Sequence, residues 1–388
     1  MLKKNLLIVH GGGPTAVMNS SLYGAIQEAK KYPEIDHIYG AENGTGGILR
    51  KRFIELGNLS DRDLDLLLQT PGSAIGTSRD ALGENDYSKI VEILIKNNIG
   101  WVLMNGGNGT MDTCGKLYHA CKDRGLEIAC MGIPKTTDND LALTDHSPGY
   151  GSAARYIAQS ARELCADVQS LPIHVVVMEA SGRNAGWITA ASALAGENGQ
   201  PGPDLIYLPE RNFSQARFLE DVRRLLTKKK GIVVVCSEGL HDEKGDPIVP
   251  PIFKSGRATY FGDVSSHLAN LVIKELGYKA RGEKPGLLGR CSCLMQSSVD
   301  REEAIQAGAE ACRLAMYNES GKMVAIRRVS TEPYRVVMEA VAIEKVMMFE
   351  RKMSDDMINS AGNGVTASFL DWCRPLIGEP LTQMIHFN

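Results

Sequence analysis

Ile99-Gly-Trp-Val-Leu-Met-Asn-Gly-Gly-Asn-Gly-Thr110 is the stretch on which the reading of this chain turns. An apolar run ends in three glycines within four positions, and a helical pattern follows over residues 111–124, so the segment reads as strand, tight turn and helix. The next segment, Leu126-Glu-Ile-Ala-Cys-Met-Gly-Ile-Pro-Lys-Thr-Thr-Asp-Asn-Asp140, repeats the strand. It then delivers Lys135, Thr136, Asp138 and Asp140 just past the strand's carboxyl end. In open α/β sheets ligands bind along that edge, so both turns point to one site.

The same alternation extends outward in both directions. Residues 5–10 read as a first strand, and His10-Gly-Gly-Gly-Pro-Thr15 as a turn whose backbone N–H groups can face an anion; alone, three glycines also suit a close strand-to-helix crossing. Pro71-Gly-Ser-Ala-Ile-Gly-Thr-Ser-Arg-Asp80 is too rich in small residues for a regular element and reads as a loop carrying Arg79 to the site. Downstream come a strand over 173–179, the turn Ala180-Ser-Gly-Arg-Asn-Ala-Gly186, a strand ending at Pro209-Glu210, and another over 232–236. Tyr278-Lys-Ala-Arg281, Gly286-Leu-Leu-Gly-Arg290 and a helix over 300–317 precede a tail with one more expected helix around 355–371. Alternating elements throughout predict an α/β protein of two doubly wound Rossmann-like domains with the active site in the cleft between them.

Composition bounds the function. The chain has 388 residues, 43% hydrophobic and 23% charged, enough for two domains with buried cores. A formal charge of −3 leaves no global field for nucleic acid or an anionic membrane, so any anion site is local. The apolar runs are too short to span a membrane, and Met1-Leu-Lys-Lys-Asn leads into a strand rather than a signal peptide, which makes the cytoplasm the expected location. Nine cysteines without paired metal-ligand spacing read as reduced thiols.

Gly106-Gly-Asn-Gly-Thr110, Pro134-Lys-Thr-Thr-Asp-Asn-Asp140, Ser181-Gly-Arg-Asn-Ala-Gly-Trp187 and Pro209-Glu210 stand in the order and approximate spacing of the phosphofructokinases, which this chain resembles over roughly residues 5–320. Thr-x-Asp-Asn-Asp is the most specific element. Lys135, the spacing of Tyr278-Lys-Ala-Arg281 and the C-terminal extension are similar to the pyrophosphate-dependent branch. The resemblance implies reversible phosphoryl transfer from pyrophosphate to the 1-hydroxyl of fructose 6-phosphate, a step of glycolysis, in a homo-oligomer (dimer or tetramer). It also implies a donor-phosphate domain over 1–142 completed by about 288–318, and a fructose 6-phosphate domain over 143–287 completed by 319–388.

Residue by residue, Asp138 matches the family's general base, and Lys135, Thr136 and Arg183 its other catalytic groups. Phosphoryl transfer needs in-line positioning, neutralisation of the moving charge and an acceptor for the hydroxyl proton, and a carboxylate can take that proton late. Gly11, Gly12, Arg79, Gly107, Gly109 and Thr110 match the donor-phosphate elements. Ser181, Gly182, Arg183, Glu210, Tyr278, Arg281 and Arg290, with Thr136 and Asp138, match the acceptor set, Arg281 and Arg290 being the pair that holds the 6-phosphate in the family. Mg²⁺ is the implied cofactor, held by Asn108 and Asp140, although many relatives have Asp at position 108. Ser181 stands where the family has Met, and His174 and Leu287 where bacterial nucleotide-dependent members have Arg and His. In the family, Asp at the position of Gly109 excludes ATP; here Lys135 favours pyrophosphate while Gly109 leaves the nucleotide path open. ATP as donor, sedoheptulose 7-phosphate as acceptor, and a non-catalytic regulatory paralogue are the alternatives.

Overall fold

The computed structural model describes every residue except Met1, Leu2, Pro172, Gly256, Arg257, Met348, His386 and Asn388. Its strands, in chain order, are β1 (Lys4–His10), β2 (Ile35–Ala41), β3 (Phe53–Glu55), β4 (Ile99–Gly106), β5 (Ala129–Pro134), β6 (Val175–Ala180), β7 (Leu205–Tyr207), β8 (Ile232–Ser237), β9 (Pro251–Ser255), β10 (Ala258–Phe261), β11 (Ala280–Glu283), β12 (Lys322–Thr331) and β13 (Tyr334–Ala342). The chain divides into two compact units, residues 1–152 with 290–351, and residues 153–289 with 352–388.

The first unit holds a seven-stranded sheet in the order β13-β12-β5-β4-β1-β2-β3. Strands β2, β1, β4, β5 and β12 run parallel, while β3 and β13 are antiparallel at the edges. Apolar side chains alternate onto two cores. Leu6, Ile8, Leu103, Met131 and Ile133 face one side, and Leu7, Val9, Val102, Met104 and Cys130 the other. A sheet buried on both faces is why these strands read as continuous apolar runs. The strand order reverses between β1 and β4, the switch point at whose carboxyl edge ligands bind. Behind it the helices Met18–Ala29 and Ser298–Met316 cross at two glycines. A β-carbon on Gly24 would lie 2.0 Å from the Ile305 carbonyl oxygen, and one on Gly308 would lie 1.9 Å from that of Ser21, so only glycine permits the approach.

The second unit is built on a parallel sheet in the order β11-β6-β8-β7, with β9 and β10 as a separate antiparallel pair. Its core gathers Val175, Val177, Ile232, Val234 and Cys236 from the sheet with Phe213, Phe218 and Leu268 around them. All nine cysteines are free thiols, and no helix among the described residues is long and apolar enough to cross a membrane.

Two expectations shift. Residues 319–351 belong with the first unit rather than the second, because β12 pairs in parallel with β5 (Lys322 opposite Met131) and β13 folds back on it. The single helix expected around 355–371 is instead a short turn, Asp355–Met357, and a helix, Ala367–Cys373. Between them the chain doubles back through an Ile358–Val365 bridge, with Gly362 at φ 73° supplying a bend that a helix cannot contain.

Candidate active site

In the first unit the turns after β1 and β4 meet as the two strands require. The Gly11 N–H donates to the Asn105 carbonyl (2.9 Å) and the Gly12 N–H to that of Ser78 (2.9 Å), which draws the 71–80 loop against the glycine turn. The Thr77 hydroxyl adds a bond to the Gly12 carbonyl (2.8 Å). Gly12 has φ 77°, the left-handed value that favours glycine. Thr110 is buried, and its hydroxyl fills space that glycine leaves. A β-carbon would lie 2.3 Å from that oxygen at position 11 and 2.1 Å from it at 106. Gly107 precedes the helix Asn108–Lys122, whose first N–H groups face the turn, and nothing lies within 4 Å of where a Gly109 β-carbon would stand.

Cations gather here. Lys135 is 3% exposed, and its Nζ donates to the Gly13 carbonyl at 2.6 Å. Burial lowers its pKa to about 8; Asp138 opposes that, while Arg79 and Arg290 add to it. Both guanidiniums reach the space beside Gly13, where a β-carbon would sit 3.1 Å from Arg290 Nη1 and 3.5 Å from Arg79 Nη2. Arg290 thus stands beside Gly13 in the first unit, and Arg281 lies on β11 of the second.

The acids follow β5. The Asp138 N–H donates to Thr136 Oγ1 (3.1 Å), and the Thr137 hydroxyl to Asp138 Oδ1 (3.3 Å). Asn108 Nδ2 donates to Asp140 Oδ2 (3.0 Å), while Asn108 Oδ1 is buried with no protein partner. Burial, and then the charge of Asp138, raises the Asp140 pKa to about 6. An unpartnered amide oxygen beside a carboxylate is a donor set that suits a hard divalent cation. No group of three or more His, Cys, Asp or Glu side chains capable of holding a metal occurs among the described residues, so such an ion would take most of its ligands from substrate and water.

In the second unit Ser181, Gly182 and Arg183 follow β6. Gly182, at φ 111°, donates its N–H to Glu238 Oε1 (3.2 Å), and Ser237 Oγ donates to the Gly182 carbonyl (2.7 Å). Arg183 lies over the Phe261 ring at 5.0 Å. Glu210 Oε1 accepts from the N–H groups of Gly186 (2.9 Å) and Met353 (3.2 Å), leaving Oε2 buried and unpartnered, an acceptor suited to a hydroxyl. Tyr278 packs edge-on against His174 (5.1 Å).

Several participants escaped the sequence reading. His10 is fully buried and its Nδ1 bonds Ser73 Oγ (2.7 Å); burial, and then Lys135, holds its pKa down to about 3. Ser237, Glu238 and Arg351, which anchor site loops, carried no motif. The one available signal was position, since residues 237–238 end a strand as Glu210 nearly does.

Residues 5–315 match the sequence profile of the phosphofructokinase family. The chain is 35% identical to the pyrophosphate–fructose 6-phosphate 1-phosphotransferase of Rhodospirillum rubrum (98% of this chain, 95% of that one) and 38% identical to the enzyme of that name from Xanthomonas campestris (97% and 92%). It is 33% identical to a sulfofructose kinase of Alkalicoccus urumqiensis (96% and 95%). Among solved structures, the pyrophosphate-dependent phosphofructokinase of Marinobacter aquaeolei superposes with a TM-score of 0.88 at 34% identity, covering 99% of this chain and 94% of that one.

Proposed function

The chain belongs to the phosphofructokinase family, and from that premise we propose that it is a reversible phosphotransferase making fructose 1,6-bisphosphate from fructose 6-phosphate and pyrophosphate. Lys135 carries the donor assignment: a buried ammonium beside Gly12 and Gly13, joined by Arg79 and Arg290, suits a compact polyanion that has no nucleoside to secure it. Gly11, Gly12, Gly107, Gly109 and Thr110 shape the surrounding turns.

The sugar's 1-hydroxyl oxygen attacks the near phosphorus as that atom's bond to the bridging oxygen breaks. Asp138 takes the hydroxyl proton, and inorganic phosphate leaves. Thr136 and Arg183 orient the transferring group. Ser181, Gly182, Glu210, Tyr278 and Arg281 hold the sugar, Glu210 by accepting from its hydroxyls. Asn108 and Asp140 fit Mg²⁺, which when bound supplies charge neutralisation of the donor oxygens. A cytoplasmic homo-oligomer completes this reading.

One observation favours a second acceptor. His174 and Leu287 stand where bacterial nucleotide-dependent members of the family have Arg and His, which would leave the acceptor's anionic tail fewer cationic partners. A singly charged sulfonate tolerates that better than a phosphate does, in line with the sulfofructose kinase among the relatives. Initial rates with pyrophosphate and ATP, each on fructose 6-phosphate, sedoheptulose 7-phosphate and sulfofructose, test both choices. The highest kcat/KM is expected for pyrophosphate with fructose 6-phosphate, and a higher value with ATP would overturn the donor assignment.

A further inference from the structure

The loop bearing Asp138 and Asp140 contains two non-glycine residues in the left-handed region, Asn139 at φ 55° and Leu143 at φ 61°. Asn139 suits that conformation, and its Oδ1 accepts the Ser147 N–H at 3.0 Å. Leu143 has no such device. Its side chain is 52% exposed, so packing does not hold it, and its β-carbon crowds the following carbonyl.

The restraint on this loop comes from far along the chain. The Arg351 N–H donates to the Asp140 carbonyl at 2.8 Å, beside an antiparallel bridge between Leu141 and Glu350. The Arg351 guanidinium donates through Nη1 to the carbonyls of both Thr144 and Asp145. One residue thus ties the backbone on both sides of Leu143. Strand β12 secures the later side as well, through the Asp145 N–H to the Ile326 carbonyl (2.8 Å) and the Ile326 N–H to Thr144 Oγ1 (3.0 Å). Those bonds leave the Asp140 end to other partners, and Arg351 is one that spans both ends.

We propose that Arg351 is a positioning residue for phosphoryl transfer, fixing the strained backbone on which Asp138 and Asp140 stand; the inference rests on Asp138 being the proton acceptor. A base acts only within hydrogen-bond reach of its proton, and a misplacement of about 1 Å costs on the order of 100-fold in rate. Both carbonyls are reached by the one nitrogen Nη1, and a lysine ammonium, one bond nearer the backbone, falls short of that position, so lysine does not replace it. The residue acts through the loop and not on substrate.

A double-mutant cycle tests this. Arg351→Lys alone is expected to lower kcat by about 10–100-fold while KM for pyrophosphate and for fructose 6-phosphate changes less than about threefold. In an Asp138→Asn background the same substitution is expected to change kcat by less than about threefold, because no base remains to be misplaced. Equal losses in both backgrounds, or a loss confined to KM, would overturn the inference and leave Asp138 as the base. Wild-type turnover in Asp138→Asn alone would instead sink the base assignment, and this inference with it. If circular dichroism shows that Arg351→Lys does not fold, the cycle is run with Arg351→Gln against the same criteria.

Discussion

Asn108 gives its amide N–H to the Asp140 carboxylate at 3.0 Å and keeps its own oxygen buried and unpartnered. The amide thus partners Asp140 without adding charge, and its own oxygen is left as a free acceptor. Asn108→Asp puts a second carboxylate there. Like charge destabilises the ligand-free protein at neutral pH, while a divalent cation bridging both groups is held about tenfold more tightly. Calorimetry without substrates should show a lower Tm in the absence of Mg²⁺ and a larger rise on its addition. An unchanged Mg²⁺ response would remove Asn108 and Asp140 from the metal role.

Lys135 should set an alkaline limb for the donor. Its pKa in the free protein is about 8, and only the charged form attracts an anion, so log kcat/KM for pyrophosphate should fall above that pH with a slope approaching about −1. Lys135→Arg substitutes a cation that does not titrate in this range and should erase the limb. If the limb persists in the arginine variant, it belongs to another group.

Gly109→Asp has room to fold, since the space beside Gly109 is open, and a carboxylate in the first helical turn agrees with the helix dipole. Any ATP-driven rate is expected to fall by about tenfold or more through like-charge repulsion, with the pyrophosphate-driven rate changing less than about threefold. Equal losses with both donors would show the new carboxylate acting on something the two share.

His146 makes stability depend on pH. Its Nδ1 lies 2.8 Å from Asp145 Oδ2 and its Nε2 lies 2.5 Å from Glu303 Oε2, and Tyr334 donates to the other Glu303 oxygen at 2.6 Å. Burial disfavours the charged ring, but Glu303 and Asp145 outweigh it and raise the pKa from 6.5 to about 9. The folded value lies above the unfolded one, so this stabilisation is fully present below pH 6.5 and is lost as pH rises through 9. His146→Gln should cost about 2–4 kcal/mol at pH 6 and much less at pH 9, read from chemical denaturation. Lys135, with its lowered pKa, works in the opposite sense above pH 8, so the comparison is with the variant at each pH and not with one absolute curve. A penalty of the same size at both pH values would mean that His146 is neutral in the fold.

The sequence made β1, β4, β5, β6 and β8 legible because each is a buried apolar run followed by a glycine-rich or charged turn, and the turns after β1, β4, β5 and β6 hold Gly11, Gly107, Lys135, Asp138, Ser181 and Gly182. Partners set by the return of the chain were not legible. The approach of Arg290 to Gly13 is one of these, since no pattern in the side chains encodes it. Residues 319–351 looked like an appendage because β12, exposed to water over its second half, lacks the unbroken apolar run of β1 or β4. Its assignment depends on the parallel pairing of Lys322 with Met131, which is a long-range fact. Arg351 was silent for the same reason: its partners are carbonyls, and every residue has one.

Lys135, Arg79 and Arg290 crowd the space around Gly12 and Gly13, so the vacant protein carries a knot of like charge that a polyanion undoes. Binding and folding are then two readings of one equilibrium, and each tenfold rise in free donor above its Kd adds about 1.4 kcal/mol to the native state. When donor runs short that increment is withdrawn, and a larger share of the chain is open to proteolysis at any moment. The lifetime of the polypeptide would thus follow the supply of the compound it consumes.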